Sequence, residues 1–467
     1  MATVGERERI DAQHARGRLT AHERIDVLLD EGSFAAIGAP GAGVVTGSGT
    51  INHRPVFVFG QDVIDGGGAV TPDHAARIAD VVDRAILAGA PLIGLHDSPG
   101  LAMSDGLSVL GSQTALLQRQ VTAAGIIPQI ALVMGDTAGL GALSPALADI
   151  VFMMSDATLL LAGPDILRMA TGELASAQML GGAAMHADRT GLADRVFSDE
   201  IELLLAAREL VDILPLSATH PVPHWPSADP PNRIEPGLKT LVPLDPDTPY
   251  DMRELVRKIA DEREVFELQP AHADSILCAF ARIEGRSVGI AASQPMVLDG
   301  VIDVAAAHKA ARFVRLCDGF GMPLVCLVDS PGFLPGTAAE QGGMVRAATT
   351  LLAAFATASA PRVTIVTRRA FGGIWSVIAP AAGAAHRIFA WPGAEIALVG
   401  AQAASKMLFA ASEEKRRDHV DRFANPYPAQ EGGFIDAVIR PQETRGIIAT
   451  ALREMRGAPP GRAAHPA

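Results

Sequence analysis

The segment PLIGLHDSPG at residues 91–100 returns as PLVCLVDSPG at residues 323–332. In both copies an apolar run with the length of a buried β-strand ends in Asp-Ser-Pro-Gly, which favours a turn. A second pair follows: PQIALVMGDTAG begins at residue 128 and PRVTIVTRRAFGG at residue 361, so the two offsets are 232 (323 − 91) and 233 (361 − 128) residues. Landmarks at nearly constant offset predict that the chain contains two copies of one structural unit.

Between these landmarks, apolar runs of strand length alternate with amphipathic helical runs, as in HAARIADVVDRAILAG just before residue 91. This alternation predicts an α/β unit in each copy. Residues 217–250 break the rhythm, because they are dense in proline and show no periodicity, which predicts a linker. We therefore predict an N-terminal domain at 1–216, a C-terminal domain at 251–455 and a disordered tail at 456–467.

The segment before the first α/β copy predicts a helix with a defined start. Thr20 has the side chain of an N-cap residue, and Glu23 is placed to bond back to it in a capping box. Ile25, Leu28 and Leu29 then fall on one face. The pattern indicates an amphipathic helix that begins just after Thr20.

The composition of the 467-residue chain limits its function. Apolar residues make up 49% and charged residues 19%, which indicates folded domains, and a net charge of −13 argues against a nucleic-acid binder. The N-terminus lacks the apolar core of a signal peptide, and no apolar run reaches membrane-spanning length. Cys278, Cys317 and Cys326 lack metal-ligand spacing, so we expect reduced thiols, no metal site and a cytoplasmic location.

Each copy also carries a glycine-rich loop at the end of a strand, Gly-Leu-Gly at 139–141 and Gly-Gly-Ile at 372–374. A helix-capable segment follows each loop, so backbone N–H groups would point at a ligand where the helix dipole favours negative charge. Placed against a thioester carbonyl, such groups form an oxyanion hole for an enolate. If the chain had only one such loop, its glycines could simply permit a tight turn. Because both copies retain the Asp-Ser-Pro-Gly turn as well as the glycine-rich loop, we favour the interpretation that the loops bind a ligand.

Nine ordered motifs then give the sequence a family resemblance. They are QHARGRLTAHERIDVLLDEGSF, GVVTGSGTI, GPDILRMATGE, YDMRELV, QPMVLDGVID, DSPGFLPGT, RRAFGGIWSV, FAWPGAEIALVG and RFANPYPAQEGGFIDAVI. Over roughly residues 6–450 the chain resembles the carboxyltransferase (β) subunits of biotin-dependent acyl-CoA carboxylases of the propionyl-, acetyl- and methylmalonyl-CoA type. The resemblance implies tandem crotonase-like β-β-α superhelix domains and a ring-shaped homohexamer, with each active site between the N-terminal domain of one subunit and the C-terminal domain of another.

The resemblance also implies an enzyme that moves a carboxyl group between carboxybiotin and the α-carbon of a coenzyme A thioester. Biotin would be carried on a separate carrier protein, the partner would be a biotin carboxylase/biotin carrier subunit, and this subunit would hold no metal. Motif positions assign Gly139 and Leu140 to one backbone oxyanion hole, and Gly373 and Ile374 to the other. The further substrate-binding residues that the resemblance implies are Ser376, where the family selects acyl length, with Gly100, Ala102, Gly67, Gly68 and Gly372.

Departures from the family pattern cluster at the site loops of the N-terminal copy. The family usually reads AGGA where this chain reads AGLG, and Leu140 would be strained by ~1–2 kcal/mol if its φ had to be positive. The family usually reads DSGGAR where this chain reads DSPGLA, so an arginine is lost and Pro99 removes a donor. Leu143 replaces a usual tyrosine, and in the other copy Ser293 replaces a usual asparagine. These changes on a retained scaffold indicate altered chemistry.

Two alternatives to biotin-dependent carboxyl transfer stay open at this point. One is a biotin-independent decarboxylase or acyl-transfer enzyme that acts on a malonyl-type thioester of coenzyme A or of an acyl carrier protein. It needs only one oxyanion hole and tolerates a damaged second site. The other is a non-catalytic ring subunit that supports a better-equipped paralogue.

Overall fold

The computed structural model of the protein describes residues 4–455 except 40, 42, 231, 244, 246–247, 379–384 and 411. The described chain forms two compact units that divide between Pro221 and Val222. The domain limits at 216 and 251 stay predictions, and the tail predicted at 456–467 lies outside the described residues.

Strands and helices alternate through the first unit. Its strands are β1 (Ala35–Ala36), β2 (Val44–Ile51), β3 (Arg54–Gln61), β4 (Leu92–Ser98), β5 (Gln129–Ala138), β6 (Ile150–Met154), β7 (Thr158–Leu160) and β8 (Arg195–Phe197). Its helices are α1 (Val4–His14), α2 (Ala21–Leu28), α3 (Pro72–Ala88), α4 (Gly106–Ala123), α5 (Leu143–Ala146), α6 (Pro164–Thr171), α7 (Ala177–Gly181), α8 (Ala183–Met185) and α9 (Glu200–Ile213).

The second unit repeats this alternation. Its strands are β9 (Val265–Leu268), β10 (Ile276–Ile283), β11 (Arg286–Ser293), β12 (Leu324–Ser330), β13 (Arg362–Phe371), β14 (His386–Ala390), β15 (Glu395–Ala397) and β16 (Ala437–Val438). Its helices are α10 (Met252–Ile259), α11 (Val304–Gly319), α12 (Thr337–Gln341), α13 (Met344–Thr357), α14 (Gly373–Ile378), α15 (Ala401–Leu408), α16 (Glu413–Phe423), α17 (Tyr427–Glu431) and α18 (Thr444–Glu454).

The two sheets have the same topology, which confirms the predicted duplication. Among the described residues the first sheet runs β1-β2-β3-β4-β5-β6-β8 with β7 beside β5, and the second runs β9-β10-β11-β12-β13-β14-β16 with β15 beside β13. The strands from β3 onward, and from β11 onward, pair in parallel. Since the carboxyl ends of parallel strands meet at one edge of a sheet, the loops that follow β4 and β5 meet there, as do those after β12 and β13.

The proline-rich segment 222–250 is ordered where it is described, although it carries little regular structure. The Trp225 N–H donates to the Gly285 carbonyl at 2.8 Å, and Leu238 is buried in the apolar core of the second unit. Prolines hold such a segment extended without a ladder of hydrogen bonds. This part of the chain therefore packs on the unit that follows it.

The helix predicted after Thr20 is α2, and its capping box is confirmed. The Thr20 hydroxyl accepts from the Glu23 N–H at 3.3 Å, and the Glu23 carboxylate accepts from the Thr20 N–H at 2.8 Å. The cap places Arg24 in the first turn of α2, where it is 1% exposed. None of the helices in the described part of the chain is both long and apolar enough to cross a membrane.

Arg24 joins three elements of the first unit through buried ion pairs. Its guanidinium lies 2.9 Å from the Asp97 carboxylate at the end of β4 and 2.6 Å from the Glu200 carboxylate at the start of α9. The three side chains are nearly inaccessible, so none of these charges has water as an alternative partner. The cluster therefore fixes the position of α2 against the end of the central strand.

We expect Arg24→Ala to lower the free energy of unfolding of the first unit by about 3–5 kcal/mol, because two buried carboxylates lose their cation. The matched control is Arg84→Ala, which removes an exposed arginine paired with Asp80 at 2.9 Å and should change stability by about 0–1 kcal/mol. Urea unfolding of both variants checks this. Equal effects of the two substitutions would contradict the assigned role of the cluster.

Candidate active site

In the first unit, the loops after β3 and β4 are fitted together at Gly68. Gly68 has a φ of +73°, and a β-carbon on it would lie 2.8 Å from the Asp97 carbonyl oxygen, so only glycine fits. The Ser98 hydroxyl donates to the Gly68 carbonyl at 2.6 Å. Gly67, also at positive φ, lies exposed beside it. The structure thus brings the predicted residues Gly67 and Gly68 onto the Asp-Ser-Pro-Gly turn.

The same close approach occurs in the second unit. Gly300 has a φ of +75°, and a β-carbon there would lie 2.4 Å from the Asp329 carbonyl oxygen. The N–H of Asp97 donates to the Gln61 side chain at 3.0 Å, and the N–H of Asp329 donates to the Ser293 hydroxyl at 3.3 Å. Both units therefore share the close approach of a glycine to the turn and a side-chain acceptor for the Asp N–H, and Ser293, a departure from the family, provides that acceptor in the second unit.

Gly100 and Ala102 extend this arrangement to the glycine-rich loop after β5. The Val70 N–H donates to the Gly100 carbonyl at 2.9 Å, and the Ala102 N–H donates to the Val70 carbonyl at 2.8 Å. Gly100 has a φ of +115°, and a β-carbon on it would lie 3.0 Å from the Ala138 carbonyl oxygen. Six residues predicted for the first-unit site accordingly come together: Gly67, Gly68, Gly100, Ala102, Gly139 and Leu140.

The positive φ that would strain a leucine is adopted by Gly139, the neighbour of Leu140. Gly139 takes the positive φ, +64°, whereas Leu140 is not among the residues with positive φ. A short 3-10 turn runs from Gly139 to Ala142, and the Leu140 carbonyl accepts a 3.4 Å bond from the Gln113 amide on α4. The Leu140 side chain is 38% exposed. Leucine at this position is consequently unstrained, and its effect is the apolar bulk that it adds beside the loop.

In the second unit the corresponding loop follows β13. Gly372 has a φ of +50°, and its N–H donates to the Ala397 carbonyl at 2.9 Å. Gly373 and Ile374 are the first residues of α14, so their N–H groups have no partner within the helix. Gly373 and Ser376 are exposed, whereas the Ile374 side chain is buried. The first N–H groups of α14 are thus available to a partner outside the helix.

The two loops align by their strand ends, which shifts the assigned pairs by one residue. β5 ends at Ala138 and β13 at Phe371, so Gly139 corresponds to Gly372, and position 140 corresponds to position 373. The positive φ at Gly139 and at Gly372 supports this alignment. The assigned pair in the second unit thus begins one residue further along its turn than the pair in the first.

Phe333 forms a wall of the second-unit loop. It follows the second Asp-Ser-Pro-Gly turn, and a β-carbon on Gly373 would lie 2.8 Å and 3.0 Å from two carbons of its ring. Contacts below 3.0 Å essentially do not occur for real β-carbons, so the ring occupies the space beside Gly373. The motif DSPGFLPGT contains this phenylalanine, but the sequence alone does not relate it to Gly373.

Buried arginines neutralise the aspartates of both turns. Asp97 pairs with Arg24, whereas Asp329 lies 2.8 Å from Arg368 and 2.7 Å from Arg369, both on β13. Burial alone would lower the pKa of Arg369, but its bonds to Asp299 and Asp329 raise it. These aspartates are structural anchors held by buried ion pairs. In the sequence, the feature that could have indicated the cations of the second turn is the pair of adjacent arginines at the end of the apolar run PRVTIVTRRA.

A metal ion at these loops would need a group of metal-binding side chains. No group of three or more His, Cys, Asp or Glu suited to a metal ion occurs among the described residues. His96, next to Asp97, is completely buried, and burial lowers its pKa to about 3. The arrangement therefore offers backbone N–H groups as its donors to a ligand.

Comparison with known proteins decides the family. The model of the carboxyl transferase domain family matches residues 12–458. The chain belongs to the carboxyl transferase family. This carboxyltransferase is 43% identical to the propionyl-CoA carboxylase beta chain of Roseobacter denitrificans, over 97% of this chain and 93% of the relative. It is 37% identical to the methylmalonyl-CoA decarboxylase subunit alpha of Veillonella parvula, over 96% of this chain and 92% of the relative.

A solved structure agrees with the fold of this carboxyltransferase. The hexameric transcarboxylase 12S, with hydrolysed methylmalonyl-coenzyme A bound, superposes with a TM-score of 0.92 at 36% identity, covering 99% of this chain and 94% of that one. The expected tandem crotonase-like fold and the enzyme class are confirmed. Carboxyl transfer between biotin and an acyl-CoA thioester is the activity of the chain, and the particular residues that perform it stay predictions.

We expect Gly68→Ala to reduce carboxyl transfer on the order of 10²-fold, because its β-carbon would push the Asp97 carbonyl and shift the turn by a fraction of an ångström or more. Gly66→Ala is the matched control: its φ is also positive, +65°, but its β-carbon would meet open space. Initial rates of both variants, measured at a temperature well below both melting temperatures, check this. Equal losses would show that backbone strain, and not the contact, matters.

Proposed function

We propose that the chain transfers the carboxyl group of carboxybiotin to the α-carbon of a short-chain acyl-CoA of the propionyl type, using two backbone oxyanion sites. The observation that supports this best is the duplication itself: each unit presents a glycine-rich turn, at Gly139 and at Gly372, beside an Asp-Ser-Pro-Gly turn. Carboxyl transfer develops two anions, one on the thioester oxygen and one on the ureido oxygen. A duplicated site provides one set of donors for each.

The donors of the proposed sites are backbone N–H groups, namely those of Gly139 and Leu140 in one unit and of Gly373 and Ile374 in the other. Preorganised N–H groups stabilise developing negative charge without reorganisation. When bound, carboxybiotin would supply the carboxyl group as carbon dioxide on breakage of its N–C bond, and the ureido nitrogen freed in this way would accept the α-proton of the thioester. The residues fit that group, because Gly373 is exposed, carries no side chain and has an N–H without a partner within α14. We propose that Ser376, exposed three residues along, contacts the acyl group.

We also propose that six copies assemble as a ring and work in the cytoplasm with a separate subunit that carries biotin. The hexamer of transcarboxylase 12S supports the assembly, since that protein matches nearly the whole of this chain. The beta-chain names of the similar propionyl-CoA carboxylases support the need for a second kind of subunit.

A decarboxylase is the second candidate, favoured by the similarity to the Veillonella parvula methylmalonyl-CoA decarboxylase subunit alpha. The bulk of Leu140 beside the first turn is the structural feature that suits a modified site. In this case the chain would remove the carboxyl group of a malonyl-type thioester, on coenzyme A or on an acyl carrier protein.

We expect the purified chain to release carbon dioxide from malonyl-CoA and methylmalonyl-CoA only when free biotin is added. The assay needs no partner protein, so a missing biotin-carrying subunit does not affect it. Release without biotin would favour the decarboxylase. No release in either condition would contradict carboxyl transfer on these coenzyme A thioesters and leave a carrier-protein substrate or a non-catalytic ring subunit. Coenzyme A thiol and carbon dioxide are measured separately, which distinguishes thioester hydrolysis from decarboxylation.

We expect Gly373→Pro to reduce this biotin-dependent release by about 10²–10³-fold more than Gly373→Ala does, because only proline removes the N–H. Both substitutions bring a β-carbon against Phe333, so Gly373→Ala is the matched control. The comparison is made in a Phe333→Ala background as well, where the steric contact is absent. Equal rates for the proline and alanine variants would remove Gly373 from the oxyanion site.

A further inference from the structure

The Phe333 ring lies too close to Gly373 for a side chain at position 373. The ring is half-buried, and its edge lies 2.8 Å from the position that a β-carbon of Gly373 would take. A β-carbon on Gly393, in contrast, would meet nothing within 4 Å, and neither glycine has a positive φ. Backbone conformation therefore does not require glycine at position 373. The neighbouring ring does.

The backbone holds Phe333 in this position from both sides. Phe333 forms an isolated parallel bridge with Ile302. The Ile302 N–H donates to the Gly332 carbonyl at 3.0 Å, and the Leu334 N–H donates to the Ile302 carbonyl at 2.9 Å. The residues that flank Phe333 are thus tied to the loop that follows β11. The bridge fixes the backbone position from which the Phe333 ring reaches Gly373.

The first unit has different side chains at the two positions that correspond to Phe333 and Gly373. By the repeat offsets, Leu101 corresponds to Phe333, and Leu140 corresponds to Gly373. Leu101 packs against the apolar core of the first unit, and the side chain next to the first turn belongs to Leu140 itself. One unit therefore combines a large residue after its Asp-Ser-Pro-Gly turn with glycine in the glycine-rich turn, and the other combines two leucines.

We propose that Phe333 is a positioning residue of the second anion site, whose ring closes the side of the site next to the Gly373 α-carbon and limits the space for the group that binds there. This inference rests on the proposed function, since it assumes that Gly373 belongs to an oxyanion site. An apolar wall beside an N–H donor excludes water and strengthens the bond from that donor to a developing anion.

The test is a double-mutant cycle between positions 373 and 333, read as biotin-dependent release of carbon dioxide from malonyl-CoA. Gly373→Ala alone is expected to lose at least about tenfold in kcat/KM, since its β-carbon and the ring cannot both keep their places. Phe333→Ala alone should lose only several-fold. The decisive result is that the double variant is more active than Gly373→Ala, so that removal of the ring restores function.

Two further arms separate this role from general packing. Phe333→Tyr keeps the ring edge, so Gly373→Ala should stay damaging in that background. Gly393→Ala should be silent with either residue at position 333. A double variant less active than both single variants, or a harmless Gly373→Ala, would overturn the proposal.

Melting temperatures give a readout that does not depend on activity. Gly373→Ala should lower the melting temperature when Phe333 is present and not when position 333 is alanine. An inactive wild-type chain would defeat the proposed function, and with it the role of Phe333 at an anion site, even if this stability coupling is found. An active wild-type chain without either coupling would defeat the inference about Phe333 alone.

Discussion

Each unit places a carboxylate at the buried end of its central parallel strand, and the rest of the site is arranged around the neutralisation of that charge. Asp97 and Asp329 are 6% and 0% exposed, so an unpaired charge at either position would be strongly destabilising. In the second unit Arg368 lies on the adjacent strand. In the first unit the corresponding position is Gly135, whose β-carbon would lie 2.1 Å from the Asp97 carboxylate, and the cation is Arg24.

Much of the fold could be predicted from the sequence, because it depends on local and repeated patterns. The offset of about 232 residues between PLIGLHDSPG and PLVCLVDSPG predicted two equivalent sheets, and the structure has them. The capping box at Thr20 needed only the spacing to Glu23. The partner of Asp97 could not be predicted in this way, because Arg24 lies 73 residues away in sequence and no local pattern relates the two.

The glycine-rich turns show where motif reasoning reaches its limit. Motif positions identified residues 139–140 and 373–374, and the structure places both pairs at the ends of equivalent strands. The amino-acid sequence does not determine the backbone angles of the turn. It therefore could not show that Gly139, and not Leu140, has the positive φ. Gly373 follows β13, whereas the ring that limits the space beside it belongs to Phe333, in the loop after β12. Only the tertiary structure brings these two residues together.

The different sources of the countercharge have a consequence for how such a chain can be rebuilt. The second unit carries its arginines within the repeated sheet, so a copy of that sheet with its loops would bring its own cations. The first unit takes its cation, Arg24, from α2, which lies outside the sheet, and a copy of the sheet lacking α2 would hold a buried, uncompensated carboxylate. As modules for duplication or exchange, the two halves of the chain are therefore unequal: the second is electrostatically self-sufficient, and the first is transferable only together with its leading helix.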